Sequence, residues 1–213
     1  MSAESEKEAA ARAAAALVRD GMTVGLGTGS TVKHFVIALA ERGLRNLRCV
    51  ATSPATEEQA RGLGLPVEEF DRLERLDIAV DGADQIAPDG WIVKGGGGAH
   101  TREKIVAAAS NRFVVIADAS KVVDALRAPI PLEILPYGAT ATLAALHPAL
   151  PRDAPPSPDG GLIADFHGDV SDPDALAARL SAMPGIVDHG LFPPSLTSDV
   201  IIARGGEIER RAR

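Results

Sequence analysis

Thr23-Val24-Gly25-Leu26-Gly27-Thr28-Gly29-Ser30-Thr31 is the stretch on which the fold turns. Its first four residues form a short apolar strand. Glycines alternating with hydroxyl residues follow, and residues 32–42 then carry Phe35 and Leu39 at helical spacing. A strand, a glycine turn and a helix in that order make the repeating unit of a parallel sheet covered by helices. The unit recurs downstream. Residues 48–52 read as a strand, and 56–63 as a helix stopped by Gly64. Residues 78–80 form a strand ending at Asp81, and 91–93 one ending at Lys94. Residues 101–111 form a helix, and 113–117 a strand ending at Asp118. Upstream, residues 5–19 read as an Ala-rich helix with Ser5 and Glu8 as a capping box. The strands are β-branched and apolar on both faces, the mark of a buried parallel sheet. The expected fold class is α/β, with a doubly wound, mainly parallel sheet.

The pattern changes after Asp118. Residues 128–131 (Ala-Pro-Ile-Pro) read as a hinge and 132–135 as a strand closed by Pro136. Residues 140–146 read as a short helix. Residues 148–161 contain five prolines and two glycines and read as a loop. A strand at 162–166, a helix at 173–183 and a turn plus strand at 185–191 follow. Residues 199–203 form an apolar strand able to return to the main sheet, and the alternating charges of 204–213 read as a solvated tail. The expected division is a main lobe of residues 1–127 plus 196–213 and a smaller α+β lobe of 128–195.

The 213 residues are 46% apolar and 24% charged, ordinary values for a globular chain and too apolar for a disordered one. Aromatics are only 3%, so the core must come from Ala, Val, Leu and Ile. A formal net charge of −7 argues against a broad nucleic-acid-binding face. Cys49 is the lone cysteine and cannot pair within the chain. No apolar run nears the roughly 18 residues that span a bilayer, and residues 1–11 lack an apolar signal core. The expectation is a cytoplasmic protein without membrane or nucleic-acid partners. The five histidines have no metal-ligand spacing, and Ser30 is not in a Gly-x-Ser-x-Gly elbow. Neither a metal site nor a nucleophilic serine is expected.

Four segments carry chemistry. The Gly25 to Thr31 turn has the glycines, hydroxyls and following helix N-terminus that suit a phosphate, though an ordinary tight βα turn fits equally. It is neither a dinucleotide fingerprint nor a Walker loop. Asp81-Gly82-Ala83-Asp84 ends a buried strand, at the sheet edge where α/β proteins bind ligands. Its two acids suit proton transfer or sugar hydroxyls, or else a solvated Asx turn. Lys94-Gly95-Gly96-Gly97-Gly98 leads into a helix with Glu103 in its first turns. An ionised Glu beside a Lys and glycine N–H groups describes a base next to an oxyanion site; the plain alternative is a flexible loop. Lys121 closes Ala117-Asp118-Ala119-Ser120-Lys121 within reach of a phosphate at that edge, or on an open surface, and Lys7 is a weaker candidate of the same kind.

Taken in order, these stretches resemble the type A ribose-5-phosphate isomerase family. The markers are Gly25 to Thr31, Thr52-Ser53 with Thr56, Asp81 to Asp84, Lys94 to Gly98 with Thr101-Arg102-Glu103-Lys104, and Asp118 with Ser120-Lys121. Weaker markers are Pro131 to Pro136, and Pro184-Gly185-Ile186-Val187 leading to Gly190-Leu191-Phe192. The resemblance implies interconversion of ribose 5-phosphate and ribulose 5-phosphate, without metal or organic cofactor, in the non-oxidative pentose phosphate pathway. It implies Glu103 as the base between C2 and C1, and Lys94 as the stabiliser of the enediolate. It implies Asp81 and Asp84 as holders of sugar oxygens, with Asp81 assisting ring opening. Gly82, Ala83, Gly95, Gly96 and Gly97 line the substrate, and the phosphate lies on Thr28, Gly29, Ser30 and Thr31 with Lys121 and Lys7. It also implies a homo-oligomer, dimer or tetramer. Gln85, His100 and Ser157 to Gly161 depart from the family pattern, and the segment 151–165 is short. Two other readings stay open: a non-catalytic sugar-phosphate sensor, expected to lack the base, and a same-fold hexosamine-phosphate deaminase or coenzyme A transferase.

Overall fold

The computed structural model describes residues 2–212; Met1 and Arg213, the outermost residues of the expected main lobe, lie outside the described residues. Along the chain the elements are α1 (Ala3–Ala15), β1 (Thr23–Leu26), α2 (Ser30–Glu41), β2 (Arg48–Ala51), α3 (Pro54–Gly62), β3 (Ile78–Gly82), β4 (Gln85–Ile86) and β5 (Ile92–Val93). Then come α4 (His100–Ala108), β6 (Phe113–Asp118), β7 (Ile130–Ile134), α5 (Ala139–Ala145), β8 (Ala149–Pro151), β9 (Leu162–Phe166) and α6 (Pro173–Ser181). The last are β10 (Ile186–His189), β11 (Leu191–Phe192), β12 (Asp199–Arg204) and β13 (Glu207–Ala212).

The chain divides into two compact units. The first takes residues up to Ala83, Arg102–Val122, and residues from Ser195 on. It holds a six-stranded sheet in the order β13-β12-β6-β3-β1-β2. All neighbours are parallel except the β12–β13 pair. The fold is therefore α/β with a doubly wound, mainly parallel sheet. Chain order runs outward in both directions from the β1–β3 boundary, which makes that boundary the topological switch point. Ala10, Ala11, Ala14 and Ala15 of α1 and Val32, Phe35, Val36 and Leu39 of α2 pack with Leu26, Ile78, Val80 and Ile116 of the strands. Small alanines let α1 approach closely, which helps a core with few aromatics to pack.

The second unit comprises Asp84–Thr101 and Val123–Pro194. A four-stranded antiparallel sheet, β10-β7-β9-β8, and a three-stranded one, β11-β5-β4, share a core of Trp91, Ile130, Leu132, Phe166, Leu176 and Leu180 with neighbours.

Several expectations are corrected. Residues 84–101 belong to the second unit, not to the main lobe, because β5 pairs antiparallel with β4 and β11 rather than entering the parallel sheet. A two-residue strand carries too little pattern to reveal its partner. Ile130 and Pro131 open β7 instead of forming a hinge. The proline-rich segment 148–161 contains β8, paired with β9. Helix α1 is capped by Ser2, whose hydroxyl accepts from the Ser5 N–H, so Ser5 lies inside the first turn. Within the expected tail, residues 207–212 are not merely solvated: they form β13, the sheet edge. Gly205 and Gly206, at φ 57° and 100°, supply the two positive dihedrals of a tight hairpin that turns the chain back along β12. Its exposed, charged side chains are what an edge strand needs.

Candidate active site

In the first unit, the strands β1, β2, β3 and β6 run parallel, so the residues after each C-terminus share one edge. After β1 come Gly27 to Thr31, after β2 Thr52 and Ser53, at the end of β3 Asp81, and after β6 the turn Ala119–Lys121. Asp81 is 2% exposed, and one carboxylate oxygen accepts the Thr28 N–H at 3.0 Å and the Gly82 N–H at 2.7 Å. A Cβ on Gly27 would sit 2.1 Å from the Asp81 carboxyl carbon, so only glycine admits this packing. The carbonyl of Gly27 accepts the buried Thr56 hydroxyl at 2.8 Å, and the hydroxyls of Thr28 and Thr52 lie 2.7 Å apart. Gly29 takes φ 114° and heads α2 without a side-chain cap. The first N–H groups of α2, at Ser30 and Thr31, are thereby presented to an anion.

Lys121 is half-buried in the turn after β6, which Asp118 caps by accepting from the Ser120 N–H at 2.9 Å and from its hydroxyl. Glu6 accepts the N–H groups of Ala119 at 3.2 Å and Gly205 at 2.9 Å. These donors, Gly205 first, hold the Glu6 carboxyl below its usual range and bring the first turn of α1 to the Lys121 turn. Lys7 follows Glu6 in that turn, and its ammonium pairs with Glu4 at 3.3 Å. His34 also meets Glu4, at 2.7 Å. Burial pushes the Cys49 thiol up to about 12, so it is an inert core residue.

The second unit holds Asp84 and the glycine loop. Asp84 is exposed and accepts the Gly96 N–H at 2.8 Å. Gly95 and Gly98 have φ 106° and 71°, and the Gly98 N–H closes a turn on the Gly95 carbonyl at 3.1 Å. Lys94 is 3% exposed, and its ammonium lies 5.5 Å from the centre of the Phe192 ring, a cation–π contact. Gly190 lies against the Lys94 carbonyl, where a Cβ would come within 2.1 Å, which explains a glycine between β10 and β11. His100, buried against Gly95, opens α4. Thr101 donates its hydroxyl to Glu133 at 2.5 Å, and Ser157 donates to the other oxygen of the same buried carboxylate at 2.5 Å. Glu103, in the first turn of α4 and 3% exposed, belongs instead to the first unit, which takes the chain up again at Arg102.

The motif Asp81 to Asp84 is thus divided, its first acid in one unit and its second in the other. Sequence reading missed Arg152 and Asp165, and it quoted Glu133 and Gly190 only inside the weaker markers, without a role. Arg152 donates to the carbonyls of Gly95 at 3.0 Å and Gly96 at 3.2 Å while gripping Asp165. No motif marks Arg152 or Asp165, because the groups they meet come from distant segments of the chain. Among the described residues no group of three or more His, Cys, Asp or Glu is placed to hold a metal ion, and no helix is long and apolar enough to cross a membrane.

A doubly wound sheet with an uncapped helix at its switch point, a buried carboxylate beside it and lysines on its edge defines a protein built to bind small anionic ligands. The comparisons narrow the class. The family model for ribose 5-phosphate isomerase A (phosphoriboisomerase A) matches residues 48–207. A ribose-5-phosphate isomerase A from Caulobacter vibrioides is 48% identical over 209 residues, covering 90% of this chain and 91% of its own. One from Bradyrhizobium diazoefficiens is 46% identical, covering 97% and 95%. The solved ribose 5-phosphate isomerase A of Methanocaldococcus jannaschii superposes with a TM-score of 0.93 at 32% identity over all of both chains. A D-ribose-5-phosphate isomerase solved in complex with phospho-erythronic acid superposes at 0.94 and 31% identity, again over all of both chains. The chain belongs to the ribose 5-phosphate isomerase A family.

Proposed function

We propose that the protein interconverts ribose 5-phosphate and ribulose 5-phosphate, an aldose–ketose isomerisation of the pentose phosphate pathway. The observation that carries this is the 48% identity, over nine-tenths of both chains, with a relative named ribose-5-phosphate isomerase A. The ligand named in the solved relative is consistent with it. Phospho-erythronic acid joins a phosphate to a hydroxylated chain ending in a carboxylate, which has the charge pattern of a sugar-phosphate enediolate.

The residues divide the work as follows. The phosphate rests on the N–H groups and hydroxyls of Thr28, Gly29, Ser30 and Thr31, with Lys121 and Lys7 as counter-charges; Lys7 leaves Glu4 to take part. Asp81 and Asp84 hold sugar oxygens, flanked by the main chain of Gly82 and Ala83, and Asp81 assists ring opening. Its carboxylate is pre-aimed by two N–H groups and needs no reorganisation. Glu103 removes the proton at C2 and returns it at C1. The charge that develops on oxygen is met by Lys94 and the N–H groups of Gly95 and Gly97, while the Gly96 N–H holds Asp84. Burial supports these last roles, because a charge in a site shielded from water acts more strongly on a neighbouring charge. The phosphate, remote from C1 and C2, converts binding energy into orientation.

The protein is further inferred to act in the cytoplasm as a homo-oligomer, a dimer in its simplest form. The four-stranded sheet and its flanks leave Leu135, Tyr137, Leu150 and Val187 exposed, with Tyr137 at 89%. Exposed apolar side chains on the strands and flanks of one sheet favour cover by a second copy.

The deciding experiment follows ribulose 5-phosphate formed from ribose 5-phosphate in EDTA, with Glu103→Gln alongside. Turnover in the parent and a fall of about 10² to 10⁴ in the variant, with the sugar phosphate still bound, are expected. Near-normal turnover in the variant removes Glu103 as the base. A loss in EDTA that a divalent cation restores overturns the metal-free reading. A parent that binds the sugar phosphate without turning it over makes it a sensor.

A further inference from the structure

The glycine loop and Asp84 are held by a pair of residues outside the family motifs quoted above. Arg152 follows β8 directly, and its N–H donates to the Ile163 carbonyl of β9 at 2.9 Å, which extends the antiparallel pairing by one residue. Asp165 lies two residues further along β9, so the two side chains are diagonal neighbours on one face. They meet in a two-pronged ion pair, Nε to Oδ2 at 2.8 Å and Nη2 to Oδ1 at 2.5 Å, with side-chain exposures of 22% and 16%. That pairing occupies one edge of the guanidinium. The remaining nitrogen, Nη1, donates to the carbonyls of Gly95 and Gly96.

The Gly95 carbonyl and the Gly96 N–H belong to one peptide group. Its oxygen faces Arg152 and its N–H donates to Asp84 at 2.8 Å. In a trans peptide the two point in opposite directions. The result is a continuous chain: Asp165 carboxylate, Arg152 guanidinium, peptide 95–96, Asp84 carboxylate. Each member polarises the next, so the chain is stiffer than its separate bonds. The next peptide is set in the same way. With the Gly96 carbonyl turned to Arg152, the N–H of Gly97 is directed to the opposite side. Four consecutive glycines have little intrinsic preference for any of these orientations, so an outside anchor must impose one.

We propose that Arg152, braced by Asp165, is a positioning residue for the isomerisation: it sets the Gly95–Gly97 peptides and, through the Gly96 N–H, the carboxylate of Asp84. The inference rests on the activity proposed above. Arg152 acts through these groups and touches no reacting atom. Lysine is a poor substitute, since a single ammonium cannot hold a carboxylate in two places and two carbonyls as well.

Arg152→Met, Arg152→Lys and Asp165→Asn test it, with kinetics on ribose 5-phosphate and amide exchange over residues 94–99. Arg152→Met is expected to lower kcat by about 10- to 100-fold, with a far smaller change in KM. Arg152→Lys should recover only part of the loss, and Asp165→Asn should fall between Lys and the parent. Combined with Asp84→Asn, Arg152→Met should cost less than the product of the two separate losses, because both act through one peptide. The Gly96 and Gly97 amides should exchange faster in Arg152→Met. A variant that keeps kcat, multiplies independently with Asp84→Asn and leaves loop exchange unchanged overturns the proposal, as does a Lys variant equal to the parent. Should Arg152→Met fail to fold, the Lys and Asn variants decide it. A parent inactive on ribose 5-phosphate refutes the activity and leaves the exchange comparison to judge the clamp alone.

Discussion

Asp81 and Asp84 are three residues apart, yet they are held by different means in the two units. Asp81 is held by main chain. Its partners are the N–H groups of Thr28 and Gly82, and the absence of a side chain on Gly27 makes room for it. Asp84 is held by a chain of side chains and one peptide, running through Arg152 to Asp165 on another strand. The first arrangement is rigid because it is part of the βα turn itself. The second depends on charges supplied from segments 13 residues apart, and is tunable for the same reason. Carboxylates of one motif thus differ in what can disturb them: backbone space for one, remote charge for the other.

This contrast can be broken or sharpened by experiment. The largest effect is expected from Gly27→Ala. The added methyl meets the Asp81 carboxyl at 2.1 Å, and with the buried Thr56 hydroxyl bonded to the Gly27 carbonyl the main chain cannot yield freely. Isomerase turnover should fall by about 10² or more, as when a preorganised group is misplaced. Activity near that of the parent would mean Asp81 is not positioned by this packing.

Glu133→Gln should come next. Its carboxylate accepts the hydroxyls of Thr101 and Ser157 while 1% exposed, and an amide accepts at only one of its two ends. A stability loss of about 1–3 kcal/mol is expected in urea unfolding. No loss would show that the second unit tolerates a broken side-chain network, and would weaken the comparison.

Gly96→Ala should be milder than Gly27→Ala. Its methyl would meet Asp84 Oδ1 at 2.9 Å, but Asp84 is exposed and can turn aside. The expected cost is under about 1.5 kcal/mol in stability, with a smaller loss of turnover than Gly27→Ala causes. The reverse ranking in the same assay would contradict the distinction.

The smallest effect concerns pH in the first unit. The Gly205 and Ala119 N–H groups hold Glu6 below its ordinary value of 4.5 when folded. Its contribution is therefore fully present above that value and is lost as pH falls through the lowered one. Glu6→Gln should flatten the acid side of the stability profile slightly and leave neutral-pH turnover unchanged. An unchanged acid limb would show that these two bonds contribute nothing to it.

Legibility in the sequence follows the same divide. The parallel strands were readable because each is apolar on both faces and each is punctuated by glycine or a capping residue. Asp81 and the Gly27–Thr31 turn were readable for the same local reason. Lys94, Glu103 and Lys121 were also marked by position, each at a strand end or a helix start. What was unreadable was pairing. Strands β4, β5 and β11 are two residues long, too short to show a period, and they decide which unit residues 84–101 join. Strand β13 was signalled only by Gly205-Gly206, since its charged side chains look like those of a solvated tail.

The sequence by itself determined the doubly wound sheet, the family and the residues whose chemistry suits a sugar phosphate. Steric demands at glycines, strand apolarity and helix capping act over a few residues and leave their mark there. The tertiary structure alone decided where the unit boundary runs, how the chain's last strand closes the sheet, and that Arg152 and Asp165 grip the glycine loop. Those are outcomes of which segments meet in space, and a guanidinium carries no local sign of the carbonyl it will bind.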